Sequence, residues 1–288
     1  MNILQSPKVF QQTMMSLRQK GKSIGFVPTL GALHEGHLSL VRKARRENDV
    51  VAVSIFVNPL QFGPKEDFKK YPRPLKRDKE LLKKEKVDYI FHPSAKAMFP
   101  QGFNTAVQVG AIRKSPLQNS LCAKSRPGHF QGVATGVIKL LNLAQPENVY
   151  FGAKDFQQAL MIEKMIRDVN LAIRFHRCPT VRETDGLAMS SRNSYLSADQ
   201  RRRAQAISRV LFWLQDQASR PAARARKLAS LKQLARRKLI PFVTHIDYLD
   251  IVDLETLEPL KKIQRMMLAV VACYVGKTRL IDNVIIHT

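Results

Sequence analysis

Cysteine is too scarce in this 288-residue chain to build a framework, with Cys122, Cys178 and Cys273 as the complete set. An odd number without CxxC or paired Cys/His spacing excludes a disulfide scaffold and a conventional zinc site, and leaves reduced, buried hydrophobes. Long apolar runs are missing as well. The longest, Met266–Val275, is about half of the roughly 20 residues that span a bilayer. Met1–Lys20 is amphipathic, broken by Gln, Ser and Lys, and lacks the continuous apolar segment of a secretory signal. The chain is therefore expected to be soluble and cytoplasmic, without a membrane partner. No GxGxxG occurs, so a dinucleotide fingerprint has no support. Gly276-Lys277-Thr278 ends like a phosphate loop, but Val271 stands where the first Gly of that loop belongs. The seven His form no HExxH and no cluster, so no metal site made by the protein is expected.

Acidic residues are also in short supply. Lys and Arg number 48 against 23 Asp and Glu, a formal net charge of +25. Such an excess concentrates polyanions of any kind, ATP and nucleic acid included. From Lys65 to Lys86 the signs are mixed, as on a solvated helix face. From Arg201 to Lys238, twelve Lys and Arg stand against Asp216 alone. A nucleic-acid-binding protein is one reading of that stretch. It offers only Phe212 and Trp213 for stacking and no recognised motif, so a solvated basic surface is favoured and nucleic acid is not an expected partner.

What is present is ordinary globular material, 44% hydrophobic and long enough for a substantial core. Through about residue 180, short apolar runs (Ile24–Thr29, Val50–Val57, Val87–Pro93, Asn148–Phe151) alternate with helix-period segments. One such helix carries Val133, Val137, Leu140, Leu141 and Ala144 on a single face. Strands apolar on both faces, alternating with helices, predict a Rossmann-like α/β domain with a parallel sheet over 1–180. After that the pattern changes. Ser197, Asp199 and Gln200 open a helix over Ala198 to about Ala218, and a second follows near Pro221–Leu239. Strands then read at His245–Val252, Met267–Val275 and Leu280–Ile286. The expectation for 181–288 is a smaller α+β domain.

The segment with chemistry follows the first of those strands: Pro28-Thr29-Leu30-Gly31-Ala32-Leu33-His34-Glu35-Gly36-His37. A strand enters a Gly-containing turn and a helix begins near His34. The i, i+3 spacing sets both imidazoles on one face of the helix N-terminus, beside free N–H groups and the positive end of the helix dipole. That arrangement suits a polyphosphate whose negative charge grows during attack at the α-phosphorus.

The HxGH element resembles the signature of the nucleotidylyltransferase and class I aminoacyl-tRNA synthetase superfamily. The chain is more specifically similar to the pantothenate synthetase family through PTLGALHEGH, SIFVNPLQF (54–62), YPR (71–73), RPGHFQGV (126–133), FGAKDFQQ (151–158) and DGLAMSSRN (185–193). These blocks occur in the family's order and at similar spacing, and the likeness returns weakly at 279–283. The resemblance implies an ATP-dependent ligase that condenses (R)-pantoate with beta-alanine through pantoyl adenylate, releasing pyrophosphate and AMP. It implies that His34, His37, Lys154 and Arg192 are catalytic, holding the phosphates and the departing pyrophosphate. It implies ATP contacts from Leu30, Gly31, Gly152, Asp155, Val181, Met189, Ser190 and Ser191. Gln61, Gln158, Asn58 and Arg126 would serve pantoate and beta-alanine, since amides satisfy hydroxyls without adding charge beside the nucleophilic carboxylate. The implied cofactor is magnesium brought with ATP, and the implied assembly is a homodimer. A smaller domain would close over the site and exclude water. Another HxGH nucleotidylyltransferase is the alternative, although it would not require the paired Gln61 and Gln158.

Several positions depart from the family pattern. Leu30 replaces a common Met, a change of small consequence. Ala153 removes a carboxylate beside Lys154. Ala123 stands where Gly is usual shortly before RPGH and lacks the freedom of Gly at φ > 0, so this active-site loop is expected to take another path. Lys76 and Arg77 thin the acidic residues around Asp78, which weakens a role for that carboxylate on magnesium.

Overall fold

The computed structural model describes residues 1–64, 66–111, 120–220 and 228–288. It resolves into two compact units whose sequences interleave. The first comprises Met1–Ala111, Arg126–Ala153 and Gln158–Pro179; the second comprises Ile112–Ser125, Lys154–Gln157 and Thr180–Thr288.

The first unit is built on six parallel strands: β1 (Asn2–Leu4), β2 (Ile24–Thr29), β3 (Val50–Ile55), β4 (Tyr89–Phe91), β5 (Asn148–Gly152) and β6 (Arg174–Cys178). Their order is β1-β4-β3-β2-β5-β6. The run Val50–Ile55, mostly Val and Ile, is buried at every position, as a strand covered on both faces must be. Helices supply the two covers: α1 (Pro7–Gln19), α2 (Glu35–Glu47), α3 (Leu75–Lys84), the short α4 (Ala95–Met98), α6 (His129–Ala144) and most of α7 (Phe156–Asp168). One core layer gathers Phe10, Met14, Phe26, Phe91, Leu141 and Ile162. The other sets Leu38, Val41 and Ala44 of α2 against Val27, Val53 and Tyr150. The Rossmann-like expectation is what the chain adopts. Chain progression reverses beside β2, with β3 and β4 to one side and β5 and β6 to the other. In open α/β sheets, the crevice at the carboxyl ends of the strands beside such a reversal is where ligands bind.

Two strands lie outside the sequence reading. Asn2–Leu4 is a three-residue edge strand, and Arg174–Cys178 reads RFHRC, with too much charge for the buried-strand pattern.

The second unit includes the short α5 (Cys122–Ser125), then α8 (Ala198–Ser219) and α9 (Leu228–Leu239) against an antiparallel sheet of β7 (His245–Val252), β8 (Met266–Val275) and β9 (Thr278–His287). This is the expected α+β arrangement. A capping box starts α8, with Ser197 Oγ accepting from Gln200 N and Gln200 Oε1 accepting from Ser197 N. Pro221–Lys227, at the start of the expected second helix, lie outside the described residues. Gly276 and Lys277 form the turn joining β8 to β9, with Gly276 at φ 61, so the GKT triplet is a hairpin corner. No helix among the described residues is long and apolar enough to cross a membrane.

Candidate active site

The turn after β2 is held from below by its own strand. Thr29 Oγ1 donates to Ser54 O of β3 (2.6 Å) and accepts from Gly31 N (3.1 Å). Gly31 at φ 82 and Ala32 at φ 51 are both left-handed, which reverses the chain sharply before α2. A Cβ at Gly31 would lie 2.9 Å from Ile55 Cγ2 and 3.1 Å from Asp78 Oδ2, so glycine is required for space as well as for φ.

His34 is the N-cap of α2 and His37 the third residue of the helix. The two rings stand 4.1 Å apart between centroids. His34 N donates to His37 Nδ1 at 3.4 Å. An Nδ1 that accepts leaves the proton of the neutral ring on Nε2, so His37 presents Nε2–H as its donor.

At the end of β3 the chain enters a 3₁₀ turn, Pro59–Gln61, capped by Asn58. Asn58 is buried and its amide is spent inside the protein. Its Oδ1 accepts from Leu60 N (3.1 Å), and its Nδ2 donates to Gly132 O (2.9 Å) and Gln61 Oε1 (3.3 Å). With Oε1 so engaged, Gln61 turns its Nε2 donors to whatever it meets. Two glycines of α6 let this turn seat. A Cβ at Gly132 would lie 1.9 Å from Leu60 O, and one at Gly136 would lie 2.4 Å from Asn58 Nδ2.

Arg126, expected against the substrates, is committed to the protein. Its Nε and Nη2 donate to the two oxygens of Glu66 (2.6 Å each), and Nη1 meets His129 Nε2 at 2.9 Å. His129 Nδ1 lies 2.7 Å from Gln61 O. A carbonyl can only accept and a guanidinium can only donate, so His129 is the neutral tautomer with its proton on Nδ1. Burial pushes the Glu66 carboxyl up, but the hydrogen bonds and charge of Arg126 outweigh it and hold the group below its ordinary value. Gln158 lies half-exposed in the first turn of α7.

In the second unit, Lys154 Nζ lies 3.7 Å from Asp155, and Lys154 O accepts from Asn283 Nδ2 (2.8 Å). Asp282, next in sequence to Asn283, pairs with both terminal nitrogens of Arg182 (2.7 and 3.0 Å). The weak final block of the sequence thus anchors the Lys154 block directly, and reaches DGLAMSSRN through Arg182, whose Nη1 also donates to Gly186 O at 3.1 Å. Val181 and Met189, both expected at ATP, are brought together by Met189 N donating to Val181 O at 3.0 Å. Ser190 Oγ caps the 3₁₀ turn Ser191–Tyr195 that carries Arg192. Glu183 and Asp185 tie this segment to Arg201 of α8, at 2.8 Å in each contact.

Ala123 lies within α5, where a Cβ is no obstacle, and the positive-φ residue is Leu121 (φ 52). Gln157 holds that loop, accepting from Cys122 N and donating to Ser120 O at 3.1 Å each. Asp78, considered from the sequence only beside magnesium, has a structural role that sequence reasoning missed. Buried at 1% exposure, it accepts from Ala32 N (2.8 Å) and Leu33 N (2.9 Å). Its remoteness from the motif in sequence hid it, although an acidic residue in an apolar helix phase was a visible signal.

At the level of the whole chain, a family model described as Pantoate-beta-alanine ligase matches residues 2–285. A protein named Pantothenate synthetase from Sulfurihydrogenibium sp. (strain YO3AOP1) is 50% identical over 291 residues, 99% of each chain. The crystal structure of pantothenate synthetase from Thermus thermophilus is 43% identical, with a TM-score of 0.90 over 99% of each chain. That of pantoate-beta-alanine ligase from Francisella tularensis, complexed with beta-gamma ATP and beta-alanine, is 38% identical. Its TM-score is 0.80, covering 99% of this chain and 97% of that one.

Proposed function

The chain belongs to the pantoate-beta-alanine ligase family, and from that membership we propose how its residues divide the work. It is a ligase joining pantoate to beta-alanine at the expense of ATP. In the proposed course, the carboxylate of (R)-pantoate attacks the α-phosphorus of ATP, forming the acyl-adenylate and releasing pyrophosphate. The amine of beta-alanine then attacks the acyl carbon, and AMP leaves with the electrons of the anhydride bond.

His34 and His37 stand at the phosphates. Charge accumulates on pyrophosphate as its bond breaks, and donors fixed beforehand stabilise that charge without reorganising. The Nε2–H of His37 is such a donor, because the His34 N–H occupies its other nitrogen. Gln61, with Oε1 engaged by Asn58, offers Nε2 to the hydroxyls and carboxylate of pantoate, and Gln158 joins it. Asn58 and Arg126 support Gln61 from behind. Leu30, Gly31, Gly152, Asp155, Val181 and Met189 serve the nucleotide. Lys154, Arg192, Ser190 and Ser191 serve the triphosphate, and closing of the C-terminal domain keeps water from the anhydride. Among the described residues no three His, Cys, Asp or Glu converge on a metal position, and the nearest buried carboxylate, Asp78, is occupied by two N–H groups. Magnesium fits this donor set only as a companion of ATP, keeping water ligands and screening phosphate charge. A cytoplasmic homodimer completes the reading, on the family resemblance alone.

The observation that carries the proposal is the pair of imidazoles at the start of α2, one strand away from the Asn58–Gln61 amides at the end of β3. It is tested by pantoate-dependent exchange of labelled pyrophosphate into ATP. Exchange should require pantoate, proceed without beta-alanine, and fall at least about 10²-fold in His34→Ala and in His37→Ala. Folded protein that binds ATP yet shows no exchange would refute it.

A further inference from the structure

We infer that Asp78, far from the HxGH element in sequence, is the positioning residue of the phosphate-binding turn. Its carboxylate clamps the N–H groups of Ala32 and Leu33, and this fixes where His34 and His37 stand. The inference rests on the ligase reading for its catalytic consequence and on geometry alone for the clamp.

Gly31 and Ala32 are successive left-handed residues, so the N–H groups that follow converge to one side. Converging N–H groups of this kind form a concavity suited to an anion. A phosphate-binding turn could have left it for the triphosphate. Here the protein fills it: Asp78 Oδ2 accepts from Ala32 N at 2.8 Å and Oδ1 from Leu33 N at 2.9 Å. One oxygen serves each donor, which an Asn could not repeat because its amide has a single acceptor. Asp78 lies in the first turn of α3 and reaches the turn across the end of β3, where Ile55 borders Gly31. The next N–H along the chain, that of His34, goes to His37 Nδ1. A single connected run thus leads from a buried carboxylate through two backbone donors to the ring that faces the phosphates. Ala32, without the conformational freedom of glycine, holds its left-handed backbone against a steric cost. Without the clamp it would relax toward an ordinary conformation and turn His34 with it. With the concavity occupied, the triphosphate is directed to the imidazoles.

Asp78→Ala opens a carboxylate-sized space beside two unpaired donors, and formate is small enough to occupy it. In the full-length chain, amide hydrogen exchange at Ala32 and Leu33 is expected to be slow in the wild type. It should be fast in Asp78→Ala and slow again with added formate. That measurement needs no substrate, so it stands or falls independently of the ligase reading. Pyrophosphate exchange should fall about 10²-fold in Asp78→Ala, as for a reacting group displaced by an ångström, and recover about tenfold with formate. Pantoate affinity should stay within about twofold, since the Gln61 side of the site is untouched. Formate should not restore His34→Ala. If Asp78→Ala does not fold, the isosteric Asp78→Asn decides. An exchange rate within about twofold of wild type would overturn the proposal, and a loss of about tenfold or more at unchanged pantoate affinity would support it. Protected Ala32 and Leu33 amides in folded Asp78→Ala without formate would overturn it outright.

Discussion

The two ends of the parallel sheet both bury polar and titratable side chains, and both use the absence of a Cβ to admit an asparagine. At the amino end a Cβ on Gly25 would lie 2.5 Å from Asn48 Nδ2; at the carboxyl end one on Gly136 would lie 2.4 Å from Asn58 Nδ2. What the asparagines do next separates the ends. Asn48 donates to Tyr150 Oη (2.8 Å) and accepts from Asn148, whose Oδ1 takes the Nε2–H of His176 (2.8 Å). Tyr150 in turn donates to Glu47, and its ring stacks on His176 with centroids 4.6 Å apart. Side chains there satisfy one another, with Asn48 also donating to Ala44 O and Glu47 paired with Lys43. Asn58, Asp78 and His129 instead spend their polar atoms chiefly on main chain, that of the turns at Leu60 N, Ala32 N, Leu33 N and Gln61 O and that of α6 at Gly132 O. Burial drives the Tyr150 phenol well above its usual value, against the lowering effect of Asn48, and burial lowers His176. Perturbed titration is therefore conspicuous at the end with no proposed chemistry, and the better marker of the site is side chains holding loop backbone.

Glycine substitutions test that contrast most severely. In Gly132→Ala the new methyl would meet Leu60 O at 1.9 Å and Gln61 N at 2.7 Å, both backbone atoms. The turn carrying Gln61 must move, and pantoate affinity measured by calorimetry should fall about 10²-fold while ATP affinity changes little. Gly25→Ala presses on a side-chain end instead. It should destabilise the fold by about 1–3 kcal/mol and leave the exchange reaction at its wild-type rate. Equal losses of pantoate binding in the two folded variants would erase the distinction between the ends.

A smaller effect is expected at Glu66. Glu66→Gln removes the charge that anchors Arg126, so His129 and the Gln61 carbonyl lose their support in sequence. KM for pantoate should rise about tenfold with KM for ATP unchanged, a split that general destabilisation would not produce. The pH dependence carries a sign. The folded pKa of Glu66 is depressed, so its contribution to stability is full above the ordinary glutamate range and is lost as pH falls through the lower, folded value. The stability difference between wild type and Glu66→Gln should shrink on acidification below that range. For Asp78 the sign is opposite. Burial raises its pKa despite the Leu33 and Ala32 N–H groups, so ionising it costs stability as pH rises from the ordinary aspartate value to the folded one.

The legible parts of the molecule were those written in short stretches. The runs that became β2, β3 and β5 are apolar enough to be strands buried on both faces, and the spacing of Val133, Val137 and Leu140 gives the α6 face directly. The HxGH turn was legible because its strand, glycine and imidazoles are contiguous. Asp78 was not, because its partners lie 45 and 46 residues earlier and an isolated acid on a helix ordinarily faces water. The internal partner of Arg126 was hidden for a related reason. Its partner Glu66 is 60 residues away, so the sequence offered only the substrate role implied by the family resemblance. The RFHRC strand escaped because its His pairs with Asn148 and stacks on Tyr150, which lets a polar residue sit where periodicity calls for an apolar one.

The mildest test lies at the amino end itself. Tyr150→Phe keeps the ring and its stacking on His176 and removes a hydroxyl that donates to Glu47 and accepts from Asn48. Asn48 Nδ2 retains Ala44 O at 2.8 Å, and Glu47 retains the ion pair with Lys43, so neither neighbour is left without a partner. The loss in unfolding free energy should be about 1 kcal/mol by denaturant titration, near the net worth of one or two such bonds. Pyrophosphate exchange and both Michaelis constants should be unchanged, because nothing in this set touches the loops at the far end of the strands. If Tyr150→Phe slowed exchange while leaving stability intact, the amino-end network would be coupled to the site. Its strongly shifted phenol would then have to be read as functional after all.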